Sequence, residues 1–97
     1  MNETVPAQIE RYEFRQWYIP DRMRGGIARY IEQGIPPGSF LQAVITNDLR
    51  RAVEQADDEN LMNLPAYMAY FYHEAPSDCW GSPEKMKAWL TRDWRPQ

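Results

Sequence analysis

The chain alternates between stretches where apolar side chains recur every three to four residues and short polar, Pro- or Gly-bearing breaks. Residues 1–10 are polar and acidic and read as a loosely held terminus. Residues 11–19 support two readings. Tyr12 and Phe14 alternate with charges, as in an extended segment with one buried face, while Phe14, Trp17 and Tyr18 also fit helical spacing. Pro20 disfavours the α region for Ile19 and sets a break there. A helix then runs from Pro20 or Asp21 to Gly34, with Met23, Ile27, Tyr30 and Ile31 as its buried stripe and Gly34 as a left-handed cap. Gly25-Gly26 inside it costs about 1 kcal/mol per Gly relative to Ala, which points to a bend, a close helix contact or a delayed start.

Ile35-Pro-Pro-Gly-Ser-Phe40 is a turn into the second helix, with Ser39 placed to accept from a free N–H. Leu41, Val44, Ile45, Leu49, Ala52 and Val53 give the strictest amphipathic spacing in the chain. They predict one helix over about 38–56 at the centre of the core. Asp57 is an N-cap for a third helix carrying Leu61, Leu64, Met68, Phe71 and Tyr72, either kinked at Pro65 or starting near Leu64, and ended by Pro76. Ser82-Pro83-Glu84 starts a last helix that reaches about Arg92, with Met86, Trp89 and Leu90 inward, and Trp94 to Pro96 trails off. The expected fold is all-α: a compact bundle of three to four short helices with an aromatic N-terminal segment packed against it, in one domain over 1–97.

Composition narrows the function classes. The chain has 97 residues, a formal charge of −3, one Cys and one His, which leaves no disulfide framework and no Cys/His zinc set. The charge deficit falls in residues 36–62, where Arg50 and Arg51 face five acids, and an acidic balance argues against a general DNA binder. No apolar run reaches the roughly 20 residues of a membrane span, and no signal peptide is visible, so a soluble intracellular protein is expected. Thirteen residues are aromatic, and nine of the eleven basic residues are Arg, the residue suited to planar anionic or aromatic partners.

Most individual candidates for chemistry have a structural explanation. His73 lies near a helix end, where the dipole favours its cation, and no nucleophile stands at helical spacing from it. Cys79 is either a thiol activated by the nearby helix start at Pro83 or a small residue filling a gap beside Trp80. Asp57-Asp58-Glu59 lacks the spacing and the Gly of a calcium loop and reads as a solvated helix start. Two Gly-Ser turns, Gly38-Ser39 and Gly81-Ser82, each open a helix beside an aromatic ring. Free N–H groups there, with nearby Arg, are the parts of a small anion or nucleotide site, though the same residues make ordinary capped turns.

Tyr18-Ile-Pro-Asp-Arg-Met-Arg-Gly-Gly26, Gly34-Ile-Pro-Pro-Gly-Ser-Phe-Leu41, Asn47-Asp-Leu49, Ala56-Asp-Asp-Glu-Asn60 and Glu74-Ala-Pro-Ser-Asp-Cys-Trp-Gly-Ser-Pro-Glu-Lys85 form a string of motifs. It resembles a family of small uncharacterised accessory proteins encoded by tailed bacteriophages and prophages. The resemblance runs from residue 18 to about 90. It implies a host bacterial cytoplasm and a role in binding rather than catalysis, and it carries over no active-site residue.

These readings lead to an expected function: an anti-defence protein that sequesters a small anionic ligand, such as a nucleotide immune signal. The contacts would be Arg22 and Arg29 on the anion, Gly38 for close backbone approach, the Ser39 hydroxyl, and Phe40 and Trp80 for stacking. A homo-oligomer is expected, because one small copy has little room for a pocket. No cofactor, metal or catalytic residue is assigned. The alternative is a protein–protein inhibitor of a host or defence complex, including anti-CRISPR-like action, built on exposed aromatics and Arg.

Overall fold

The computed structural model describes residues 11–94, so the expected loose terminus at 1–10 lies outside the described residues. Two short strands open it, β1 (Glu13–Phe14) and β2 (Trp17–Tyr18), paired antiparallel with Glu13 opposite Tyr18 and Phe14 opposite Trp17. The extended reading of this segment therefore holds and the helical one does not. Arg15 takes a φ of 57° in the tight turn, the hand that matches strand twist. Phe14 and Trp17 then stack at 6.3 Å.

Six α-helices follow among the described residues: α1 (Asp21–Gln33), α2 (Ser39–Ile45), α3 (Leu49–Gln55), α4 (Asp58–Met62), α5 (Leu64–His73) and α6 (Pro83–Leu90). A 3₁₀ turn spans Ser77–Cys79. The molecule is mostly helical as expected, but the three-to-four-helix bundle is replaced by more and shorter helices plus the small sheet. Two breaks account for the difference. At Asn47 the chain enters the left-handed region (φ 63°), and Asp48 caps a fresh helix by accepting from the Arg51 N–H. The single helix expected over 38–56 is thus two. At Asn63 a second break separates α4 from α5, which starts at Leu64 with Pro65 in its first turn, where its missing N–H costs nothing.

These restarts change which side chains face inward. α2 buries Phe40, Leu41, Ala43, Val44 and Ile45, while on α3 only Ala52 is buried. Leu49 and Val53, expected in the core, are exposed. α5 buries Ala66, Tyr67, Ala69, Tyr70 and Phe71, whereas Leu61 and Tyr72 are exposed and Leu64 and Met68 half-buried. The buried side chains form one continuous cluster centred on α2 and α5, with Ile27, Tyr30 and Ile31 of α1 joining it. Tyr12 meets Tyr70 edge-on at 5.3 Å and Phe40 meets Tyr67 edge-on at 5.0 Å, so aromatic contacts carry much of this small core.

The C-terminal segment does not trail off at Trp94. The Tyr30 hydroxyl donates to the Cys79 carbonyl at 2.7 Å, the Trp89 indole donates to the Tyr30 carbonyl at 2.9 Å, and the Trp94 indole donates to the Trp89 carbonyl at 2.9 Å. Arg92 lies over both indoles, 4.0 Å from the Trp89 ring centre and 4.8 Å from that of Trp94. Trp94 packs against Gly34, the left-handed cap of α1 (φ 67°), whose N–H donates to the Tyr30 carbonyl. Ser82 caps α6 as expected, accepting from the Lys85 N–H.

Candidate functional site

Three of the six residues expected to form a binding site come together. Arg22, Arg29 and Gly38 line a groove of about 310 Å³ between α1 and the start of α2, closed by Gly26, Pro37 and Leu41. Ser39, Phe40 and Trp80 do not line it. α1 passes through Gly25-Gly26 without a break, and a Cβ at Gly26 would meet Leu41 of the neighbouring helix at an ordinary 3.7 Å. A Cβ at Gly25 would stand 3.0 Å from the Arg29 guanidinium, so the missing side chain gives that group its bed along the helix. Gly38 faces open space, with nothing within 4 Å of where its Cβ would be.

The two arginines differ in what they already hold. Arg22 donates from Nη2 to Asp57 at 2.9 Å and to Glu59 at 3.1 Å, with a further bond from Nε to Glu59 at 3.2 Å. The Glu59 hydrogen bond, ahead of those to Asp57, holds its pKa above the ordinary value. Arg22 is therefore a structural clamp between α1 and α4, and only its edge belongs to the groove. Arg29 is exposed, and among the described residues its guanidinium has no carboxylate partner.

The remaining expected contacts need correction. Phe40 is 6% exposed and packs on Tyr67, so it has no face left for a ligand. The Ser39 hydroxyl donates to Gln55 Oε1 at 2.9 Å and ties α2 to α3 instead of capping α2. Gly38 is the N-cap residue and supplies no side-chain bond, and the seven residues of α2 sum to only a short dipole. Trp80 is half-buried and tilted on Phe71 at 6.0 Å; the following Gly81 N–H donates to the Ile45 carbonyl, fixing this loop to the opposite end of α2. Cys79 is fully buried, which pushes its thiol up to about 12; it fills the gap and is not activated. His73 ends α5, exposed, with its ring edge-on to Tyr72.

Beside the groove stands a polar cluster that the sequence reading did not anticipate. Asn63 is fully buried; its Oδ1 accepts from the Tyr18 N–H at 2.9 Å and its Nδ2 donates to the Glu59 carbonyl at 3.0 Å. Asn60 accepts from the buried Tyr67 hydroxyl at 2.6 Å, and the Tyr18 hydroxyl donates to Glu59 at 2.9 Å. Asp57 accepts from the Asn60 N–H, and this bond, with the Arg22 contact, holds its carboxyl below the ordinary value. Each buried side-chain nitrogen and oxygen here has a hydrogen-bond partner, and the cluster fastens the hairpin, α1 and α4 to one another. Asp57 thus serves as cap and clamp and Glu59 as clamp, and among the described residues no three His, Cys, Asp or Glu side chains gather as a metal set.

A second concavity, about 260 Å³, lies where the α2–α3 corner meets α5. Ala43, Val44, Leu49, Ala52, Leu64 and Met68 line it, with Asn47 and Asp48 at its edge. It exists because of the Asn47–Asp48 break, which turns Leu49 and Val53 outward. Asn in a left-handed turn followed by Asp at a cap position is the local signal that marks it.

No helix among the described residues is long and apolar enough to cross a membrane. No protein-family model, curated protein or solved structure matches this chain.

Proposed function

We propose that this is a non-catalytic binding protein that holds a small anionic ligand in the groove between α1 and α2. The observation that carries the reading is Arg29: an exposed guanidinium with no carboxylate partner among the described residues, laid along Gly25 on a groove whose far wall is Gly38. Arg29 contacts the anion, Gly38 lets it approach the backbone, and Ile35, Pro36, Pro37 and Leu41 offer an apolar surface for the rest of the ligand. This apolar wall takes the place of the stacking expected from Phe40 and Trp80. The resemblance to bacteriophage accessory proteins supports a setting in a host bacterial cytoplasm, with a nucleotide immune signal as the ligand and sequestration as the action.

Isothermal titration against cyclic and linear nucleotides tests this directly. Micromolar or tighter binding is expected for at least one, with the nucleotide recovered intact and with Arg29→Ala weakening it about tenfold or more, as loss of a charge-assisted contact requires. No binding across the panel would end this reading, and turnover of the nucleotide would replace it with an enzyme. A second reading, a protein–protein inhibitor of a host or defence complex, is supported by the exposure of Leu61, Met62 and Tyr72. A stoichiometric host protein retained on the immobilised chain, with no small ligand bound, would favour it.

A further inference from the structure

Leu49 is 66% exposed and Val53 44% exposed, one turn apart on the same side of α3. Leu49 itself borders the hollow lined by Ala43, Val44, Ala52, Leu64 and Met68, and Val53 stands one turn further along the helix. The surface therefore carries an apolar projection and, next to it, an apolar recess that water fills poorly. Leu49 forms part of the rim of this recess and stands out from it. A surface holding both a knob and an adjoining hole is complementary to itself under a twofold axis, the relation on which most homodimers are built.

The charges on α3 select the direction of such a pairing. Arg50 and Glu54 lie on one flank of the helix, 3.5 Å apart, both exposed. When two copies of α3 cross antiparallel, Leu49 of one faces Val53 of the other, and Arg50 of one lies beside Glu54 of the other. At the neighbouring start of α4, Asp57 and Glu59 are already paired with Arg22. We infer that this face is covered by a second copy of the chain, in an antiparallel dimer across α3 in which each Leu49 enters the recess of its partner. The inference is independent of the Arg29 groove, which lies between α1 and α2.

Sedimentation or light scattering across micromolar to millimolar protein reads the outcome. The full chain is expected to dimerise, and Leu49→Glu to raise its dissociation constant at least about tenfold. Circular dichroism should be unchanged in this variant, since the side chain it alters is exposed. Glu54→Arg is expected to weaken the dimer by setting Arg beside Arg, and Arg50→Glu/Glu54→Arg to restore it. A chain that stays monomeric at millimolar concentration overturns the inference and leaves the face to a different protein. A dimer that Leu49→Glu leaves intact overturns it equally, because it would be built on another surface.

Discussion

The indole of Trp94 lies so close to Gly34 that a methyl group on that Cα would collide with its Nε1 edge. Gly34 is thus fixed twice, once by its positive φ of 67° and once by the tryptophan. Gly34→Ala is expected to destabilise the domain by about 2 kcal/mol or more, the left-handed backbone and the clash both contributing. Trp94→Ala relieves the clash only. Thermal unfolding of the two single variants and the double variant should give a coupling of about 1 kcal/mol, and strict additivity would show that the indole does not rest there.

Asn63 replaces a backbone partner for the hairpin. Asn63→Ala leaves the Tyr18 N–H and the Glu59 carbonyl without the carboxamide, at an expected cost of about 1–3 kcal/mol. Hydrogen exchange locates the damage: the Tyr18 amide should lose protection well before the amides of α5. Equal loss in both would mean that the hairpin is not held by this side chain.

Asp57 makes stability depend on acid. Its carboxyl titrates below the ordinary value in the folded chain, because it accepts from the Asn60 N–H and pairs with Arg22. The contribution is present above the unfolded value and is lost as pH falls through the folded one, so melting temperature should drop as pH falls below about 4. Asp57→Asn keeps a capping oxygen but cannot titrate. Its melting temperature should therefore fall less between neutral and acidic pH than that of the parent, and parallel curves would assign the acid dependence elsewhere.

Cys79 should resist alkylation. Its thiol is buried and pushed up to about 12, so almost none is thiolate at pH 8. Iodoacetamide labelling of the native chain should be at least about a thousandfold slower than in denaturant, its rate set by opening of the fold. Labelling at the rate of a free thiol would show that the 3₁₀ turn does not cover it.

The helix boundaries set by caps were legible in the sequence. Gly34, Asp57 and Ser82 each do locally what their residue type does best, and local chemistry is what a sequence displays. The stripe on α1 was legible for the same reason, because Ile27, Tyr30 and Ile31 stand among polar neighbours. α5 was not, since LPAYMAYFYH is apolar almost all round and its spacing cannot select a face. The 38–56 stretch misled more strongly. Its apolar spacing continues unbroken through Asn47 and Asp48, while the backbone restarts there and carries Leu49 and Val53 to the surface. Of the expected site residues, Arg29 and Gly38 do line one groove, and exposed charge and glycine freedom are local properties that a sequence displays. The engagement of Arg22 by Asp57 and Glu59, and the burial of Phe40, depend on residues 27 to 37 positions away and leave no mark in their own neighbourhood.

The bond from the Trp89 indole to the Tyr30 carbonyl joins positions 59 residues apart, and it is the means by which α6 closes over α1. During synthesis the ribosome has therefore made more than nine tenths of the described chain before the indole that seals the first helix exists. An early-folding N-terminal half is denied its lid, and the domain closes late and as a unit. Stalling translation before residue 89 should yield a nascent chain that proteases still cut within α1.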